Sequence, residues 1–390
     1  MAKKKCEVLV LNAIAPVGLK RLPAESYAIV KESKSPDAIL VRSQEMHAME
    51  FGEDLKAVGR AGAGVNNIPV EKLSKLGVPV FNAPGANANA VKELVLAGML
   101  IAARNLVPAL EFVNRLDKND LKKSVEEGKK TYAGRELPGH TLGVVGLGKV
   151  GSLVADAAIR LGMNVLGYDP HITVEAAWSL PSQVRKANSV DELLRSSDFV
   201  SLHVPLIEKT KNLLNEKNLP LMKKGSVLLN FARDGIVDET ALAKCLAAKH
   251  LRWYVTDFPS AKLIGRPGVV ALPHLGASTA EAEDNSAVMV IDQVREYLEN
   301  GSLQNAVNFP DAIMPRESPY RLAIANANVP NMLARISNAM GSRKINIHNM
   351  LNKSKGDMAY TLVDVDSPVP QAAIDELCQI KGVLKVRYLT

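Results

Sequence analysis

Short apolar runs alternate with helical patterns along most of this chain. "EVLVLN", "AILVR", "LKAVGRAG" and "VPVFN" read as strands. "NANAVKELVLAGMLIAARN" reads as a helix over about 87–106, with Asn87 or Asn89 as its cap. Strand–helix alternation resumes from "TLGVVGLG" to "VVALPH", the pattern of a mostly parallel α/β sheet. A long helix over 278–300 ends at Gly301. "FPDAIMPRESP" has three prolines and no periodicity, so it reads as a linker. Beyond it the order is βαββαβ, with helices at about 329–342 and 369–380, as in a small ferredoxin-like α+β unit. There is no sequence repeat.

Composition narrows the class. The chain has 390 residues, 47% apolar and 23% charged, enough for two or three ordinary globular domains. No 18-residue apolar run appears, so no membrane partner is expected. The opening "MAKKKCEVLVLN" lacks a cleavable apolar region and is read as no signal peptide. Cys6, Cys245 and Cys378 lie far apart without a CxxC pair. That speaks against a disulfide framework or a metal site and fits a reducing cytoplasm. The net charge of +7 invites a nucleic-acid reading. The excess sits in Lys3, Lys4 and Lys5 and beyond residue 318, whereas the stretch from 6 to 317 is neutral. A solvated tail fits that distribution better than a nucleic-acid surface.

The strongest chemical signal is "LGVVGLGKVGSLVADAAIRLGMNVLGYDP". Gly146, Gly148 and Gly151 form GxGxxG between a strand and a helix. Gly146 permits the tight turn, and Gly148 lets a pyrophosphate approach the backbone. Gly151 lets the helix pack on its strand, with Lys149 and Val150 opening that helix. Asp169 ends the next strand, where a carboxylate accepts from ribose hydroxyls and repels a 2′-phosphate; NAD is therefore the expected cofactor. The fingerprint starts far from the N-terminus, so the dinucleotide domain is expected to be inserted. The expected fold class is α/β. Two Rossmann-like doubly wound domains are read, the NAD domain inserted in a flavodoxin-like substrate domain, plus the C-terminal ferredoxin-like α+β domain. A cleft between the first two is the expected site.

Two further strand ends carry candidates. In "SVLLNFARDGIVDE", Arg233 follows an apolar strand, where a guanidinium can grip a carboxylate with two parallel bonds. In "LHVPL", Pro205 shapes a cofactor-facing loop and His203 reads as structural. "PHLGAST" frames His274 without a nearby carboxylate.

Taken together, "GRAGAGVNNI", "NAPGANANAVKELVLAGMLIAARN", "VVGLGKVG", "HVPL", "NFARDGIVDE" and "PHLGAST" resemble the D-2-hydroxyacid dehydrogenases. Within them the chain resembles the branch that acts on a phosphorylated 2-hydroxy acid, and its C-terminal unit resembles an ACT regulatory domain. The implied boundaries are 1–92 with 288–308 for substrate binding and 93–287 for NAD binding. A linker follows over 309–317, then the ACT-like domain over 318–390.

The resemblance implies roles. Arg233 is the carboxylate clamp and His274 the proton shuttle. Gly62, Ala63, Gly64 and Val65 offer backbone amides to the carboxylate, while Arg42, with Ser43 beside it, and Arg60 serve a phosphate. Pro205, Thr210, Ala232 and Asp257 touch the cofactor, Asp257 near the nicotinamide. The family keeps a glutamate five residues after this aspartate; here that position is Lys262. Either His274 acts alone, or Lys262 takes over proton transfer, as in a lysine-using subclass that the chain resembles. Asn326, Asn328 and Asn346 could offer amides to an amino-acid effector. However, Pro330 is followed by Asn331 where effector-binding units carry glycine. A homodimer or homotetramer is implied. The alternatives are another D-2-hydroxyacid dehydrogenase, acting on glycerate, lactate or 2-hydroxyglutarate, or a non-catalytic NAD-binding corepressor. Arg233 and His274 speak for an enzyme.

Overall fold

The computed structural model describes residues 5–390, so Lys3 and Lys4 lie outside the described residues. The chain forms two compact units, Met1–Asn87 with Ala280–Thr390, and Ala88–Thr279.

The first unit opens with five parallel strands: β1 (Cys6–Leu11), β2 (Tyr27–Val30), β3 (Ala38–Val41), β4 (Ala57–Arg60) and β5 (Val80–Phe81). Their order, β2-β1-β3-β4-β5, is the flavodoxin-like one. Strand β2 is absent from the sequence reading. It is a four-residue edge strand in which only Tyr27 is fully buried, too short to show a period.

The helix Ala280–Asn300 buries Ala287, Val290, Ile291, Val294 and Tyr297, the spacing of one helical face. It packs on β4 at Gly59, where an added Cβ would lie 2.8 Å from Val294 and 3.0 Å from Val290. Each buried valine contributes roughly 1.5–3 kcal/mol.

The same unit continues into an antiparallel sheet of β13 (Tyr320–Ala327), β14 (Ile347–Lys355), β15 (Met358–Val365) and β16 (Val383–Leu389), ordered β14-β15-β13-β16. The intervening strands β6–β12 belong to the second unit. With helices Met332–Gly341 and Gln371–Gln379, the sheet is the expected ferredoxin-like unit. Alternation along β13 buries both faces. Leu322 and Ile324 meet the two helices, whereas Ala323 and Ala325 join the core of the helix Ala280–Asn300.

The segment read as a linker is packed instead. Phe309, Ala312 and Met314 are buried in that same core, and Leu303 bridges Ala312. Prolines removed the periodicity without removing the apolar anchors.

The second unit is a seven-stranded parallel sheet: β6 (Thr141–Val145), β7 (Asn164–Tyr168), β8 (Arg185–Lys186), β9 (Phe199–Leu202), β10 (Ser226–Asn230), β11 (Leu251–Thr256) and β12 (Val269–Ala271). The order β12-β11-β10-β9-β6-β7-β8 reverses beside β6, the doubly wound switch point where ligands bind at strand ends. Helices Ala88–Ala103 and Lys149–Arg160 share its core through Val95, Met99, Ala155 and Ala158. The chain then bends at Asn105, whose φ is +53°, into the helix Leu106–Asn114. Among the described residues no single helix is long and apolar enough to cross a membrane.

Candidate active site

The glycine loop follows β6 directly. Gly146 has φ +91°, and a Cβ there would lie 2.6 Å from the His203 carbonyl oxygen. A Cβ on Gly151 would sit 1.9 Å from the Gly146 oxygen, so only glycine lets the helix close on the strand. Gly148 differs: nothing lies within 4 Å of its would-be Cβ. That open backbone stands at the N-terminus of the helix Lys149–Arg160, as a dinucleotide pyrophosphate requires. Asp169, just after β7, is fastened to the loop. Its Oδ2 accepts from the Leu147 N–H at 2.9 Å and its Oδ1 from the His171 N–H at 2.9 Å. Lone pairs remain for ribose hydroxyls. Thr210 closes the next loop, donating to the Pro205 carbonyl at 2.5 Å and accepting from the Ile207 N–H at 2.9 Å. The Ala232 N–H donates to Asn230 Oδ1 at 3.2 Å. His203 is held inside the fold: its Nε2 lies 2.8 Å from Ser201 Oγ, and burial pushes its pKa down to about 4.

Arg233, Asp257 and His274 form one electrostatic group at the ends of β10, β11 and β12. Arg233 is exposed; its Nη1 donates to the Ala232 carbonyl at 2.6 Å, and Asn230 Nδ2 holds its own carbonyl at 2.9 Å. Asp257 is only 1% exposed. Its Oδ2 accepts from the Gly276 N–H and its carbonyl from the His274 N–H, both at 2.8 Å. Its Oδ1 has no partner among the described residues. Burial pushes this carboxyl up, opposed by the Gly276 N–H and by the charges of His274 and Arg233. His274 takes a left-handed φ of +46°, and its ring rests on Phe258 at 4.8 Å between centroids.

Lys262 lies elsewhere. Its exposed ammonium donates to Thr240 Oγ1 at 2.6 Å, and no hydrogen bond or ion pair joins it to His274 among the described residues. The turn after Pro259 directs it toward the start of the helix Glu239–Ala247, a placement that residue counting could not show. Sequence reasoning missed Phe258 and Gly276. It also gave Asp257 to the cofactor without seeing its link to His274; the signal available was a carboxylate directly after the apolar strand "WYVT".

In the first unit, Arg60 lies against a glycine loop after β4. Arg60 ends β4 and donates through Nε to Asn67 Oδ1 at 2.9 Å. A Cβ on Gly62 would lie 2.6 Å from its Nη1, so the guanidinium rests against the loop. The loop carbonyls face away: Gly62 accepts from the Ala83 N–H at 3.0 Å, and Ala63 from Asn82 Nδ2 at 2.6 Å. Among the described residues the N–H groups of Ala63, Gly64 and Val65 have no internal partner. Asn82 and Asn67, both unremarked in the sequence, shape this loop. Arg42 contacts Glu283 at 2.8 Å, and Ser43 Oγ accepts from Asn12 Nδ2 at 2.6 Å.

The three asparagines of the C-terminal sheet are engaged separately. Asn326 is buried and donates to the Ala327 carbonyl at 2.8 Å; Asn328 donates to the Gly356 carbonyl at 3.0 Å, and Asn346 to Asp366. No bond among the described residues joins them into one grip. Asn331 takes φ +67°, so the turn keeps its left-handed residue without glycine.

Comparison with known proteins agrees with this geometry. Residues 96–276 match the family described as D-isomer specific 2-hydroxyacid dehydrogenase, NAD binding domain. The D-3-phosphoglycerate dehydrogenase of Escherichia coli is 32% identical over 419 aligned positions, covering 100% of this chain and 98% of that protein. The Methanocaldococcus jannaschii D-3-phosphoglycerate dehydrogenase is 36% identical over 308 residues; the match covers 75% of this chain and 56% of that longer protein. The NAD-bound 3-phosphoglycerate dehydrogenase of Entamoeba histolytica is 26% identical with a TM-score of 0.61, covering 78% of this chain and 99% of that one. NAD is the cofactor, and Gly148's open backbone fits it. From its glycine loop to its full-length relatives, the chain belongs to the D-isomer-specific 2-hydroxyacid dehydrogenases.

Proposed function

We propose that this chain oxidises 3-phospho-D-glycerate to 3-phosphohydroxypyruvate with NAD, the first step of serine biosynthesis. The observation that carries the reading is similarity to the Escherichia coli enzyme along the whole chain, C-terminal unit included. The Arg60 cradle supports it, because three unpartnered N–H groups beside a guanidinium suit an anionic substrate.

In this reading Arg233 grips the substrate carboxylate and polarises the oxygen at C2. His274 takes the hydroxyl proton. NAD, when bound, supplies the acceptor for the C2 hydride. Asp257, held by Gly276, sets a carboxyl group in the same electrostatic group as His274 and Arg233. Thus Asp257, rather than Lys262, stands in for the missing glutamate. Arg60, with Arg42, serves the phosphate. We assign residues 1–92 with 288–308 to substrate binding, 93–287 to NAD and 318–390 to an ACT-like unit.

We read the enzyme as cytoplasmic, without nucleic-acid or membrane partners, which its three free cysteines suit. A homodimer or homotetramer is supported by Leu106, Leu110, Val113 and Leu121, which are exposed on two helices that bury none of their residues.

NAD reduction with 3-phospho-D-glycerate and with D-glycerate tests the reading. The phosphorylated acid should give much the higher kcat/KM; equal values for the two sink the phosphate claim. His274→Ala should lower kcat by about 10²-fold or more. Lys262→Ala should keep both kcat and its pH profile.

A further inference from the structure

We infer that Glu283 is a specificity-determining residue, a built-in counter-ion to Arg42 that limits how strongly the substrate site favours a phosphate dianion. The inference rests on the phosphorylated-substrate reading above.

Strands β3 and β4 place the two arginines side by side. Val41 pairs with Arg60 in parallel register, so Arg42 leaves the sheet one residue beyond Arg60's neighbour. Asn67 ties the pair of strand ends together, accepting from Arg60 Nε and donating to the Gln44 carbonyl at 2.7 Å. Two cations at adjacent strand ends would make a strong dianion site. Arg42, however, already has a counter-ion: its Nη1 lies 2.8 Å from Glu283 Oε2.

Glu283 sits in the first turn of the helix Ala280–Asn300, where the helix dipole favours a carboxylate. Arg42 holds its carboxyl below the usual range, so it stays ionised at working pH. The side chains are 33% and 46% exposed. A pair this open to water adds little to stability. Its consequence falls on any anion that shares Arg42. Such an anion has the Glu283 carboxylate as a neighbour. A phosphate dianion meets that repulsion in full, whereas the uncharged hydroxyl of an unphosphorylated acid does not.

Glu283→Gln should therefore lower KM for 3-phospho-D-glycerate at least about threefold, a gain that shrinks with added salt. KM for D-glycerate should hold. Glu283→Asp, which keeps the charge, should behave like the wild type. In an Arg42→Met background, Glu283→Gln should lose its effect. A KM for the phosphorylated acid that rises or stays level, or one that falls equally for both acids, overturns the inference. The two readings fail separately. A wild type indifferent to the phosphate refutes the function proposed above. A wild type that discriminates, with an unchanged Glu283→Gln variant, refutes this inference alone.

Discussion

A carboxyl group 1% exposed, with one oxygen on a single N–H and the other on nothing, is costly to ionise. Asp257 carries that cost at the centre of the proposed chemistry. Its pKa in the fold lies above that of the unfolded chain, so its ionisation opposes folding. The opposition is absent at acid pH and complete once pH exceeds the folded pKa. Asp257→Asn should therefore raise Tm at pH 8 by about 2 °C or more, with the gain shrinking toward pH 4. The same variant should lose most of kcat, because the carboxyl group beside His274 is gone. Thermal melts across pH, paired with steady-state rates, check both halves; a Tm that falls at pH 8 refutes the cost. The sequence marks Asp257 as a carboxylate at a strand end, but its burial and its unmatched oxygen are not legible there. Counting from Asp257 to Lys262 measures position along the chain, whereas the turn after Pro259 decides where the lysine points.

Among the elements, the glycine loop is the most legible in the sequence, because each glycine answers a local steric demand. The structure separates two of those demands. At Gly151 an alanine methyl would collide with the Gly146 oxygen at 1.9 Å; at Gly148 it would meet open space. Gly151→Ala should therefore lower Tm and NADH affinity together. Gly148→Ala should leave Tm unchanged and weaken NADH binding alone, as followed by fluorescence titration. Equal Tm losses in the two variants would show that Gly148 is structural. Short or proline-broken elements were harder. Strand β2 is an edge strand that buries one residue fully, and Phe309, Ala312 and Met314 are anchored at irregular spacing. Periodicity cannot reveal either.

Within the first unit, the C-terminal antiparallel sheet is fastened by a buried charge. Arg321 and Asp364 are both 0% exposed and joined by two bonds, at 2.6 and 2.8 Å. Arg321 also donates to the carbonyls of Asn300, Met314 and Pro315, so one side chain gathers the sheet, the end of the helix Ala280–Asn300 and the packed connector. Tyr360 adds a bond to the Gly301 carbonyl at 2.7 Å. Asp364→Asn leaves the guanidinium buried without its counter-charge and should cost about 3–5 kcal/mol, read as a lower denaturant midpoint. Replacing both partners with apolar residues should cost less. A single variant that unfolds like the wild type would mean that the pair is not the fastening.

Local rules make part of this protein readable from its residues alone. That part comprises the parallel strands with their helices, the glycine fingerprint with Asp169, and Arg233 at a strand end, each legible because periodicity, turn sterics and strand ends are properties of neighbouring residues. Tertiary structure alone decided the pairings between distant residues. It set Asp257 against Gly276 and His274, turned Lys262 to Thr240, gave Arg42 to Glu283 and buried Arg321 with Asp364. Charge and hydrogen-bond partners are chosen in space, and separation along the chain does not encode them.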